Sequence, residues 1–174
     1  MEMSDRLAVM SNGRIMQVGA PRDIYQFPHS EFVADFLGVA NLIDVSVLSG
    51  GGGTGRVQLG QFTLDAQIPE GFRPGPGRAV IRPESVHLEE GDGTGDNRLP
   101  GMVERVVYLG STSQVFVRLP DGSAVQSLVT NAVHEEPWSS GDACRVRMAA
   151  DSLRVLEQSG DHTWTDAGPV AQSG

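Results

Sequence analysis

Turn-forming residues punctuate this chain so often that long elements cannot form. Glycine occurs 22 times and proline 10 times in 174 residues. Clusters such as Ser49 to Gly55, Gly91 to Asn97 and Pro120-Asp121-Gly122 separate short runs in which apolar and polar side chains alternate. Alternation of period two puts one face of an extended segment inward and the other outward, which is the mark of a half-buried strand. The runs are Leu42 to Leu48, Arg56 to Leu59, Phe62 to Ala66, Arg78 to Arg82, Val86 to Glu89, Gly101 to Leu109, Gln114 to Leu119, Ala124 to Val129, Ala143 to Ala149 and Leu153 to Leu156. Many short strands at regular intervals predict a barrel or sandwich. Trp138, after Glu135-Glu136-Pro137, is expected to pack on a barrel edge. Residues 158–174 are polar and without period, and read as a disordered tail.

The first 38 residues have a different texture. Leu7 to Met10 and Ile15 to Val18 flank Asn12-Gly13, which tolerates the positive φ angles of a tight hairpin turn. Pro21 suits the first position of a short helix, Asp23 lies near its positive end, and Pro28 stops it. Ser30 can cap a second helix, with Phe32, Val33, Phe36 and Leu37 as its apolar face and Gly38 at its C-terminal end.

Charge and chemistry narrow the function classes. The formal net charge is -9, so a nucleic-acid partner and electrostatic docking to anionic lipid are both disfavoured. All 13 basic residues are Arg. Without Lys there is no Schiff-base chemistry and no G-x-x-x-x-G-K-[ST] phosphate loop. The single cysteine, Cys144, lies in a strand-like run and reads as a small core residue of a chain in a reducing compartment. His29, His87, His134 and His162 are scattered without ligand spacing, so no metal site is expected. Asp92 to Asn97 lacks the regular carboxylates and closing Glu of a calcium loop and reads as a solvated acidic turn. No apolar run reaches membrane-spanning length, so no direct membrane insertion is expected.

Several segments, in order, resemble one family. Ser4-Asp5-Arg6-Leu7-Ala8-Val9-Met10 is similar to the stretch after the switch histidine of ABC ATPases. Gly13-Arg14-Ile15 and Gln17-Val18-Gly19-Ala20-Pro21 resemble the hairpin and helix start that come next. Asp23-Ile24-Tyr25, Pro28 and Phe32-Val33-Ala34-Asp35-Phe36-Leu37-Gly38 resemble the helical end of the nucleotide-binding domain, and Asn41-Leu42 the opening of the barrel that follows. Ile81-Arg82-Pro83-Glu84-Ser85-Val86 and Val107-Tyr108-Leu109-Gly110-Ser111 are similar to motifs of the regulatory TOBE domain. Leu48-Ser49-Gly50-Gly51-Gly52-Gly53 imitates the ABC signature sequence, but it precedes a strand-like run and reads as a hairpin turn.

The resemblance implies a mainly β fold. An OB-fold-like TOBE barrel over residues 39–157 would follow a hairpin-plus-helices remnant of an ABC ATPase domain over residues 1–38. It implies the regulatory and dimerisation domain of an importer's ATP-binding subunit, of polyamine or iron type. No catalytic residue and no cofactor are expected in this chain, while ATP and Mg belong to the full-length parent. The implied partners are a second copy, as a homodimer, and the permease subunits, which would hold the parent at the inner face of the cell membrane. Candidate interface or regulatory residues are Arg82, Glu84 and Tyr108. A plain Pro-centred turn with an exposed Arg–Glu pair is the alternative for the first two. The alternative function is a molybdate-like oxyanion module using the hydroxyls of Ser111, Thr112 and Ser113.

Overall fold

The computed structural model describes residues 5–50, 52–91, 95–131 and 138–157. The expected tail, Trp164 and Asp92 to Thr94 of the acidic turn lie outside the described residues.

The chain opens with the hairpin β1 (Leu7–Ser11) and β2 (Arg14–Gly19). Asn12 and Gly13 both have positive φ, 49° and 75°, as the tight turn demands. Two six-residue helices follow. α1 (Pro21–Gln26) carries Pro in its first turn, and α2 (Glu31–Phe36) is capped by the Ser30 hydroxyl, which accepts from the Val33 N–H. Val9 of β1, Ile24 of α1 and Val33 of α2 meet in a small core of their own, joined by Leu7 and Leu37. Gln17 ties this unit together: its side-chain amide donates to the Phe27 carbonyl and accepts from the His29 N–H, both at 2.9 Å.

The expected apolar face of α2 is corrected. Val33 and Leu37 turn inward as expected, but Phe32 and Phe36 point outward, 41% and 64% exposed, with their rings stacked. The second inward position is Ala34, which packs on Val80 and Leu156. A helix this thin between two neighbours buries residues 33, 34 and 37, which leaves the i, i+4 row of Phe32 and Phe36 on the far side.

The β part forms two five-stranded units. In the first, β3 (Asn41–Ser49), β4 (Gly53–Leu59) and β5 (Phe62–Ile68) form an antiparallel meander, and β6 (Gly75–Ile81) pairs antiparallel with β3. The last strand, β12 (Arg154–Val155), lies parallel to β5 and antiparallel to β6 and closes the barrel. In the second, the antiparallel order is β10-β9-β8-β11-β7, built from β7 (Val86–Glu89), β8 (Arg98–Tyr108), β9 (Thr112–Arg118), β10 (Ala124–Thr130) and β11 (Ala143–Met148). β7 comes back beside β10, where Ser127 Oγ donates to the Val86 carbonyl at 2.5 Å, so this unit is nearly closed as well. The mainly β, barrel-type fold is as expected, with a closed first unit and a second, nearly closed unit beside it that the expectation did not separate. β4 also begins at Gly53, inside the run expected to be turn, and β8 begins at Arg98. Pro100 is tolerated there because that end of β8 pairs with β11 and not with β9.

One hydrophobic core runs through both units, joining Ile43, Val57, Leu64 and Ile81 of the first to Leu99, Val103, Val115 and Met148 of the second. Trp138 packs against its margin, as expected. Two buried asparagines clip the units together. Asn41 on β3 donates to the Gln126 carbonyl and accepts from the Gln126 N–H, at 2.8 and 2.7 Å. Asn97 donates to the carbonyls of Asp65 and Met148 and accepts from the Asp65 N–H.

Two predictions arise here. Cys144 is buried, and burial, with a smaller contribution from the Asp142 charge, pushes its thiol up to about 11. A thiol reagent at pH 8 should leave it unmodified until denaturant is added, because the thiolate is the reactive form; rapid reaction of the native protein would contradict this burial. Second, β1 and β2 pair only with each other among the described residues. A two-stranded ribbon is marginal in water, so the amides of Leu7 to Met10 should exchange at least about tenfold faster than those of Val103 to Val107. Equal protection would join the hairpin to the barrel core.

Candidate functional site: the junction of helices and barrel

A six-residue helix makes few internal hydrogen bonds, and its last carbonyls have no partner within the helix. Two such helices end beside the first barrel, and one side chain from the barrel serves both. Arg82 leaves the end of β6 with only 6% of its surface exposed. Its Nε and Nη2 donate to the Tyr25 carbonyl in α1, at 3.1 and 3.0 Å. Its Nη1 lies 3.1 Å from the Ala34 carbonyl in α2 and 3.2 Å from the carbonyls of Gly38 and Val39 just beyond it. The guanidinium also lies over the Tyr25 ring, 4.2 Å from its centroid. A cation among C-terminal helix carbonyls is favoured by both hydrogen bonding and the helix dipole. Burial pushes the Arg82 pKa down, and the neighbouring Tyr25, Glu84 and Asp35 oppose that shift. A guanidinium stays charged under such conditions.

Around this buried clamp lies a ring of exposed contacts. Pro83–Ser85 form a 3-10 turn that turns Glu84 outward, where it accepts a 2.9 Å hydrogen bond from the Tyr25 hydroxyl. Burial of the phenol, then the hydrogen bond and charge of Glu84, raise the Tyr25 pKa, while Arg82 opposes. Arg78 on β6 bridges Glu31 of α2 and Asp44 of β3 at 2.8 and 2.9 Å. The Glu157 N–H donates to the His29 carbonyl. A cleft of about 300 Å³ opens between residues 25–28, the turn after β6 and Asp151-Ser152.

The structure therefore brings Arg82 and Glu84 to one place and leaves Tyr108 elsewhere. The guanidinium of Arg82 is spent on main-chain carbonyls, and Glu84 is held by Tyr25, so the exposed Arg–Glu pair of the simpler reading is not what forms. Tyr108 ends β8, 60% exposed, with Leu109 beside it at 55%. The oxyanion reading loses one of its three hydroxyls: Ser113 is buried and donates to Asn131 Oδ1 at 2.7 Å. No group of three or more His, Cys, Asp or Glu is placed to hold a metal among the described residues. Sequence reasoning missed Tyr25 and Asn97. The signals were there: two helices too short to stand alone, and an Asn at a turn, where its φ of 55° is tolerated.

Residues 79–156, from β6 to β12, match the family model of the TOBE domain. The chain carries a TOBE domain. Its homology continues upstream. The spermidine/putrescine import ATP-binding protein PotA of Rubrobacter xylanophilus is 37% identical over 158 residues, covering 88% of this chain and 41% of that protein. PotA of Mesorhizobium japonicum is 41% identical over 157 residues, 88% of this chain and 42% of that protein. The Fe(3+) ions import ATP-binding protein FbpC of Agrobacterium fabrum is 38% identical over 109 residues, 62% of this chain and 30% of that protein. The chain is thus homologous to part of these import ATP-binding proteins and spans about two fifths of their length. In fold, it is similar to the molybdate-bound structure of the cytoplasmic molybdate-binding protein ModG. The TM-score is 0.57 at 20% identity over 67% of this chain and 94% of that one, a likeness of architecture alone.

Proposed function

We propose that this TOBE chain is the regulatory part of an ABC importer's ATP-binding subunit, of the polyamine class. The observation that carries the reading is homology over 88% of the chain to proteins named for spermidine and putrescine import. The iron-import relative matches a shorter stretch, 62%, which favours the polyamine branch. In the complete subunit, ATP and Mg would be held outside this chain, and permease subunits would place the assembly at the inner face of the membrane. No helix among the described residues is long and apolar enough to cross a membrane, so attachment through a partner fits the chain's own make-up.

The barrel pair would hold two copies together across a two-fold axis, a common symmetry for such subunits. Exposed Tyr108 and Leu109 mark the contact on this reading, since aromatic anchors dominate interfaces. Sedimentation tests it. The chain is expected to dimerise, and Tyr108→Glu should weaken the dimer at least about tenfold, the cost of losing a central anchor. Phe36→Glu, an equally exposed aromatic but in the helical segment and not on the barrels, should leave it unchanged. A chain that stays monomeric at high micromolar concentration removes dimerisation from the reading. A calorimetric titration with Mg-ATP should give no heat, and a saturable isotherm would contradict the assignment of nucleotide binding to the rest of the subunit.

A further inference from the structure

We propose that Arg82 is the positioning residue that fixes the barrel pair to the helical segment, acting as one shared C-terminal cap for α1 and α2. Three observations converge on it. Each helix is six residues long, so neither is stable without outside partners. Five hydrogen bonds from one guanidinium reach the carbonyls of Tyr25, Ala34, Gly38 and Val39. These carbonyls belong to both helices and to the link into β3, so one planar group sets the position of all three. A lysine cannot do this, because its ammonium is a compact point with three donors and no fork.

The other contacts across the junction are each smaller than this five-bond clamp. Tyr25–Glu84 and Glu31–Arg78–Asp44 are exposed, and water competes for such pairs. A single main-chain hydrogen bond runs from the Glu157 N–H to the His29 carbonyl, and the Arg154 guanidinium lies 5.3 Å from the centroid of the Phe27 ring. The apolar contact of Ala34 with Val80 and Leu156 is non-directional. The junction is therefore a clamp at Arg82 with weaker ties around it. Displacement of the barrel pair passes to both helices through this side chain, and the exposed ties can open without releasing it. That this motion would reach an ATP-hydrolysing part rests on the proposed reading; the clamp itself does not.

The test uses the intact chain. Hydrogen exchange is compared at Ile24, Ala34 and Leu37, whose amides bond within the helical segment, and at Val57, Val103 and Val115 in the barrels. Arg82→Met should speed exchange in the first group at least about tenfold and in the second less than about twofold. Arg82→Lys should resemble Arg82→Met. Tyr25→Phe and Glu84→Ala, which cut an outer tie, should change neither group by more than about threefold. Spin labels at exposed Arg22 and Thr63 report position directly: their distance distribution should be narrow in the parent and in Tyr25→Phe, and broad in Arg82→Lys. Uniform acceleration of all amides with an unchanged distance distribution would make Arg82 an ordinary core residue and overturn the proposal. Full rescue by Lys would overturn it too. Because these readouts involve no transport, they stand or fall apart from the importer reading.

Discussion

Asn97→Ala is expected to destabilise the chain by about 3–5 kcal/mol. The side chain satisfies two carbonyls, those of Asp65 and Met148, and one N–H, that of Asp65. Each buried polar group left without a partner costs about 1–3 kcal/mol. Ala must also adopt the positive φ of 55° that Asn tolerates, at roughly 1 kcal/mol. The midpoint of thermal unfolding should fall by about 6–20 °C, at roughly 2–4 °C per kcal/mol for a chain of this size. Asn97→Gly separates the two causes. It removes the hydrogen bonds and relieves the backbone, so it should be about 1 kcal/mol less damaging than Ala. Equal stability of Asn97→Ala and the parent would mean that the two barrels are not held through this amide.

Gly101→Ala should be nearly as harmful, from crowding instead of loss. A Cβ on residue 101 would stand 2.5 Å from Val117 Cγ1 and 2.9 Å from Val146 Cγ2, inside the second barrel. Neither valine can swing away, since both are fully buried in strands. Overpacking of this kind costs about 1–3 kcal/mol, and the upper end applies at this separation. Val117→Ala alone should cost about 2–4 kcal/mol through the cavity it leaves. The double variant should be more stable than the sum of the two losses by at least about 1 kcal/mol, because the new methyl fills the space the valine vacated. Strict additivity would place Gly101 away from Val117. Both measurements are denaturant or thermal unfolding curves on the purified chain.

These two residues also show where the sequence stops being readable. Strand existence was legible, since alternation at positions such as Val115, Val117 and Val125 needs only local reading. The turn at Asn12-Gly13 and the cap at Ser30 were legible for the same reason. That the strands make two units was not. It depends on β12 reaching back to lie between β5 and β6, and on β7 returning beside β10. Such pairings are far apart in sequence and leave no period. The inward side of α2 was misread at Phe32 and Phe36, because large apolar residues outweigh Ala in a periodicity argument, while here only a residue as small as Ala34 fits against Val80 and Leu156.

At the junction, Arg82-Pro83-Glu84 stood out as a motif, but its chemistry depends on partners outside it. Carbonyls carry no side-chain signature, so the four that receive Arg82 are invisible in the sequence. Tyr25 was visible only as part of a helix, and its hydrogen bond to Glu84 spans 59 residues.

The most direct test of the importer reading is uptake in living cells. The gene encoding this chain is disrupted, and the entry of radiolabelled putrescine, spermidine and Fe3+ is measured before and after restoration of the gene. The reading predicts that putrescine or spermidine uptake falls and is restored, with iron uptake unchanged. Loss of iron uptake with polyamine uptake intact, or no change in any of the three, would contradict it.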